Sequence, residues 1–113
     1  MIVKHFDQVE RKEVTVAGAE KTAIRWLIGK DSPAPNFYLR LFEIEPHGHS
    51  PRHEHAMEHE IYVLQGQGCI QTPAGPVPLK EGSFALVLPH EEHRFENTGR
   101  GVFRFLCVIP KEG

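Results

Sequence analysis

The sequence predicts an all-β chain built as an antiparallel sandwich or barrel, and three observations carry that expectation. Apolar residues fall in short runs rich in Val, Ile, Leu and Phe. The nine prolines and ten glycines lie between those runs, as turn punctuation. No stretch keeps a 3.6-residue apolar period long enough to argue for an amphipathic helix. Short strands at this spacing indicate two packed sheets or a closed barrel.

The expected strands run Glu13–Val16, Ala23–Ile28, Phe37–Ile44, Ile61–Leu64, Cys69–Thr72, Val77–Leu79, Phe84–Leu88 and Val102–Ile109. Turns at Gly66-Gln67-Gly68, Pro73-Ala74-Gly75-Pro76 and Lys80-Glu81-Gly82 separate the middle ones. Residues two apart on a strand share a face. In the last strand Phe103, Phe105, Cys107 and Ile109 form one face, while Arg104 stands between Val102, Leu106 and Val108 on the other. The third strand repeats the pattern: Leu39 and Leu41 on one face, Tyr38, Arg40, Phe42 and Ile44 on the other. A lone sandwich needs only one apolar face per strand. The second apolar face therefore predicts a covered outer surface, either a homodimer interface or a strand end tucked under a loop.

A chain of 113 residues fits one domain, residues 1–113, with a single modest core. Net charge is −2 with a pI near 6.4, and basic residues are scattered among acidic ones, so neither nucleic acid nor a membrane surface is an expected partner. The opening MIVKHFDQVERKEV is too charged for a secretory signal, and no run approaches the roughly 18 apolar residues of a membrane helix. Cys69 and Cys107 fit no CxxC pattern, and so few cysteines suggest reduced thiols in a cytoplasm.

The unusual feature is eight histidines, five of them (His47, His49, His53, His55, His59) in one short segment. His53 and His55 share a face in extended backbone, and His59 keeps their parity along with Ile61 and Val63. If Ile61 and Val63 face the core, His59 does too. His93, after the turn Leu88-Pro89-His90-Glu91-Glu92, is a fourth candidate. Imidazoles buried together without partners are costly, and a divalent metal removes that cost. The run His55-Ala56-Met57-Glu58-His59 also matches the H-x-x-E-H motif of helical metalloproteases. That reading needs a helix, whereas Ile61-Tyr62-Val63-Leu64 follows at once and ends at Gly66. It is set aside.

From Gly48 onward the sequence resembles the cupins, small jelly-roll barrels (double-stranded β-helices). Their first motif, G-x5-H-x-H followed by an acidic residue and a glycine, is answered by Gly48, His53, His55, His59 and Gly66 over about residues 48–66. His59 stands where the family's acidic ligand usually stands, and Gly48 lies one residue close. The second motif, G-x5-P-x-G-x2-H-x3-N, is answered by Gly82, Pro89, His93 and Asn97 over about residues 82–97, with Pro89 one place late and Glu91 near the position of the second glycine. The segments HEHAMEHEIYVLQG, PNFYLRLF and FRFLCVIPKEG further resemble a group of very short dimeric cupins that bind manganese or a similar ion through four histidines.

That resemblance implies a jelly-roll barrel holding one divalent transition metal per chain, manganese first and iron, zinc, nickel or copper also suited, on His53, His55, His59 and His93. Four neutral ligands would leave the site at +2, with positions open for oxygen, peroxide or a chelating substrate. The expected function is a metal-dependent oxidoreductase or dioxygenase acting on a small organic molecule. The alternatives are a non-catalytic metal or small-ligand module and a cupin isomerase or lyase. Phe105 and Cys107 share a strand face and either line the pocket or belong to the ordinary core. Arg40 either anchors a substrate anion or reaches solvent at a rim. His47 and His49 either approach the metal mouth or stand on a solvated loop, His90 and Glu92 read as turn surface, and Asn97 as a residue that fixes the turn after His93.

Overall fold

The computed structural model describes residues 1–111 and is built from nine strands and one short 3-10 turn, Phe6–Gln8. The strands are β1 Lys12–Glu13, β2 Glu20–Ile28, β3 Phe37–His49, β4 His59–Gln65, β5 Gln67–Thr72, β6 Gly75–Lys80, β7 Phe84–Val87, β8 Arg94–Asn97 and β9 Phe103–Pro110. All pairings are antiparallel. The order β6-β5-β8-β3-β9-β4-β7, with β2 beside β3 and β1 beside β2, gives a jelly-roll barrel.

β3 closes the barrel because it belongs to both walls. Its first part, Phe37–Ile44, pairs with β9. Its far end pairs His49 with Glu96 of β8. Between these pairings Gly48 crosses close to other backbone: a Cβ there would stand 2.8 Å from the Glu20 carbonyl oxygen and 2.9 Å from that of Glu45. Ile44, Ile61, Val63, Ile70, Leu79, Val87, Phe95, Phe103, Phe105, Cys107 and Ile109 fill the interior. These come from both walls, as expected when each strand turns its alternate residues inward.

Sequence and structure differ at three elements. Val14–Val16 leaves the sheet after Glu13, β3 runs on through His47 to His49, and β8 has no counterpart among the expected strands. β8 offers a single apolar residue, Phe95, among Arg94, Glu96 and Asn97, so it carries too little hydrophobic pattern to be seen. Asn97 does fix the following turn: its side chain donates to the carbonyls of Ile44 (2.7 Å) and Gly101 (2.8 Å) and accepts from the Gly99 amide (2.8 Å).

On the outer face of β2-β3-β9, buried Glu43 receives Arg25 Nε at 2.8 Å and Arg104 Nε at 2.7 Å. Burial raises the Glu43 carboxyl, but the two guanidinium groups outweigh it and hold it below the usual range. Both arginines also lie over the Phe6 ring, at 5.3 and 5.5 Å, which pins the N-terminal turn onto this face.

Candidate metal centre

The segment between β3 and β4 lacks regular ladder pairing, yet its burial alternates. Pro51, His53, His55, Met57 and His59 turn inward, while Arg52, Glu54, Ala56, Glu58 and Glu60 are exposed. Backbone bonds across to the turn before β8 keep it extended. Ser50 and Phe95 are joined by Ser50 N donating to Phe95 O and by Phe95 N donating to Ser50 Oγ, each 2.9 Å. His53 and His93 exchange both amide bonds, at 3.1 and 2.9 Å. The His90 amide donates to His55 O at 2.6 Å. Two ligand candidates forty positions apart thus become direct neighbours. No helix spans His55–His59, so the H-x-x-E-H arrangement is absent from the fold.

One ligand atom each from His53, His55 and His93 lies within 4.8 Å of the others, a cluster able to hold a metal ion. The His59 ring stacks on that of His55, with centroids 4.6 Å apart, and lies 5.8 Å from that of His93. His59 Nε2 and His93 Nε2 are buried without a hydrogen-bond partner. Such orphaned atoms are rare unless something absent from the protein chain satisfies them.

The second nitrogen of His93 shows which of its lone pairs is free. His93 Nδ1 lies 2.8 Å from the Glu91 carbonyl, which only accepts, so Nδ1 carries the hydrogen and Nε2 offers a lone pair. His59 Nδ1 lies 3.4 Å from Cys107 Sγ and 3.3 Å from Arg40 Nη2. Arginine only donates, so when His59 presents its Nε2 lone pair, the Cys107 sulfur is the acceptor for Nδ1–H. Burial, followed by neighbouring imidazoles and Arg40, pulls His53 down to about 4. Burial and then Arg40 pull His59 down to about 3, and burial lowers His55 as well. These three rings are therefore neutral near pH 7, the form that binds metal.

The histidines open into a cavity of about 410 Å³. Ile24, Trp26, Phe42 and Phe95 form much of its apolar wall, and Arg40 and Cys107 line it beside the imidazoles. Arg40 is half-buried within this lining rather than extended to a solvent rim. Of the two readings for Phe105, pocket lining is not met and core is: it is 1% exposed, stacks on Phe42 at 5.2 Å and packs on Phe95 at 4.6 Å, so it supports the wall from behind. Trp26, Ile24, Phe42 and Phe95 were missed from sequence. The signal for the first two was the shared parity of Thr22, Ile24 and Trp26 on β2. His47, His49, His90 and Glu92 stand outside the lining. A larger cleft of about 510 Å³, between the N-terminal segment and the β2–β3 connection, gathers no comparable set of ligands among the described residues.

Comparison with known proteins agrees with this architecture. The cupin domain profile matches residues 40–109. The polyketide cyclase RemF from Streptomyces resistomycificus superposes with a TM-score of 0.93 at 34% identity, over 99% of this chain and 80% of that one. A Thermotoga maritima protein described as a predicted oxalate decarboxylase shares the fold, with a TM-score of 0.86 at 22% identity over 98% of this chain and 100% of that one. A glucose-6-phosphate isomerase from Pyrococcus abyssi is 39% identical over 59 residues, 47% of this chain and 31% of that protein, so the chain spans about a third of the length of such curated relatives. With both motifs inside the matched region, the barrel closed through β3 and the imidazoles gathered at its mouth, the chain belongs to the cupin domain family.

Proposed function

We propose that this chain is a metal-dependent enzyme that closes a ring on a small polycarbonyl molecule, with His53, His55, His59 and His93 holding one divalent ion, manganese or a similar metal. The observation that carries the reading is the pair of buried, partnerless Nε2 atoms on His59 and His93, set beside His53 and His55 at the end of an apolar cavity. The resemblance to a polyketide cyclase over nearly the whole chain supplies the reaction class. When bound, the ion would supply Lewis-acid polarisation of a carbonyl.

The remaining work falls to the chain itself. Trp26, Phe42 and Phe95 offer flat walls against which a polycarbonyl chain can fold, and they exclude water from the reacting carbons. Ring closure joins an enolised carbon to a carbonyl carbon, the proton lost on enolisation ends on the former carbonyl oxygen, and aromatisation removes that hydroxyl with a second carbon-bound proton as water. No oxidant is consumed. A dioxygenase or other oxidoreductase remains the second reading, favoured by the nitrogen-only donor set, which also suits redox metals. Isomerase chemistry rests on relatives matched over 47–53% of this chain and only 31–35% of their own length.

Elemental analysis of protein purified without added metal, followed by incubation with a linear poly-β-ketone, separates these readings. Cyclisation predicts about one ion per chain and a product lighter by water, with no oxygen uptake at an electrode. Oxygen uptake with an oxygenated product would favour the second reading, and metal binding without product a binding module. A His59→Ala protein that keeps its full metal content would overturn the four-histidine assignment.

A further inference from the structure

We propose that Arg40 is the anion-recognising residue of this cavity, and that the ligand is a flat, largely apolar molecule bearing a carboxylate, enolate or phenolate oxygen. The inference rests on the cavity being the substrate pocket and names the class of substrate it takes. The arginine is unusual in its partners. Its Nη2 donates to Cys107 Sγ at 2.9 Å and approaches His59 Nδ1 at 3.3 Å, while its Nε, like that of Arg94, is buried with no partner. Among the described residues no carboxylate forms an ion pair with it. Glu13, which also lines the cavity, is engaged with Arg11 at 2.5 Å.

Every other partly buried guanidinium of the fold has an acid. Arg25 and Arg104 share Glu43, and Arg94 pairs with Glu96. A half-buried guanidinium that has lost water without gaining an anion is unfavourable, and its planar donor fork matches a pair of carboxylate oxygens. The guanidinium carbon lies 5.5 Å from the Trp26 ring centroid and 5.0 Å from that of Phe42, and both rings line the same cavity. The positive charge is thus held between aromatic walls, which favours an anion carried on a planar skeleton over a hydrated one such as a sugar phosphate.

Trp26 is the sole tryptophan of the chain, so its fluorescence reports on this cavity directly. Binding of 2-naphthoate and of its neutral analogue 2-naphthamide is measured by Trp26 quenching on the full-length protein, both metal-loaded and after chelation. The chelated arm requires neither metal nor turnover, so its outcome is independent of the proposed reaction. The expected result is naphthoate binding at least about tenfold tighter than naphthamide in the chelated protein, weakening with added salt. Arg40→Gln and Arg40→Met should abolish that preference while leaving naphthamide binding within about twofold.

Equal affinity for the two probes in the chelated wild-type protein would overturn the proposal, even if neither variant folds. So would a preference that survives Arg40→Gln, or naphthoate binding that disappears on chelation. Glucose 6-phosphate displacing naphthoate at lower concentration than naphthoate itself binds would overturn the flat apolar class.

Discussion

His93 illustrates how one ring can be read from its surroundings. The Glu91 carbonyl fixes its tautomer, the exchange of amide bonds with His53 fixes its position, and the remaining nitrogen is buried and free. The lowered values of His53 and His59 have a consequence for the protein without metal. Both fold with a proton affinity below the ordinary value of 6.5, at about 4 and about 3. Between those limits the unfolded chain binds more protons than the folded one, so stability rises with pH across the window. The contribution is complete above pH 6.5 and is lost progressively as pH falls through about 4 and then about 3. Glu43 adds loss in the same direction below its ordinary 4.5. Urea midpoints of chelated protein are expected to fall steadily from pH 7 to pH 4.5. A flat or rising series would show that these rings are not held neutral by the fold.

Elements rather than single residues deliver the site. β4 begins at His59 and so fixes one ring in a ladder, since His59 pairs with Val87 of β7. The segment before it has no ladder of its own and depends on Ser50, His53 and His55 being bonded across to Phe95, His93 and His90. The turn from β4 to β5 sets the register that follows. Gly66 there has φ of +84°, and a Cβ would lie 2.5 Å from the Val102 carbonyl oxygen. Both features oppose any side chain. Gly66→Ala is expected to cost about 1–3 kcal/mol in denaturant unfolding, with the hairpin shifted rather than the metal-binding loop. A loss below about 0.5 kcal/mol would mean the turn relaxes freely, against the contact described.

At the scale of the molecule, the outer face of β9-β4-β7 remains apolar and open. Tyr62 and Leu64 of β4 are 49% and 47% exposed, and Phe84 and Leu86 of β7 are 82% and 54% exposed. Leu106, Tyr62 and Phe84 lie in one row across the three strands, and Val108, Glu60 and Leu86 in the next. At the Arg104 end of β9 the N-terminal turn covers the face, so the loop-covered alternative accounts for that part alone. We propose that a second copy of the chain covers the rest, because contiguous apolar patches of this kind mark interfaces. Sedimentation should give twice the 12.8 kDa chain mass, and Phe84→Glu combined with Leu86→Lys should give monomers with unchanged circular dichroism. A wild-type monomer at micromolar concentration would end that proposal. No helix among the described residues is long and apolar enough to cross a membrane. By itself the sequence determined the strand-and-turn architecture, the inward parity of His59 and the two motifs that supply the histidines, because period-two burial and ligand spacing are local properties of a chain. Only the tertiary structure decided that Trp26, Phe42 and Phe95 would wall the cavity, that Phe105 would stay behind it and that Arg40 would enter it without an acid. Those placements follow from which strands become neighbours when the barrel closes, and pairing partners distant in the chain leave no mark in the local pattern.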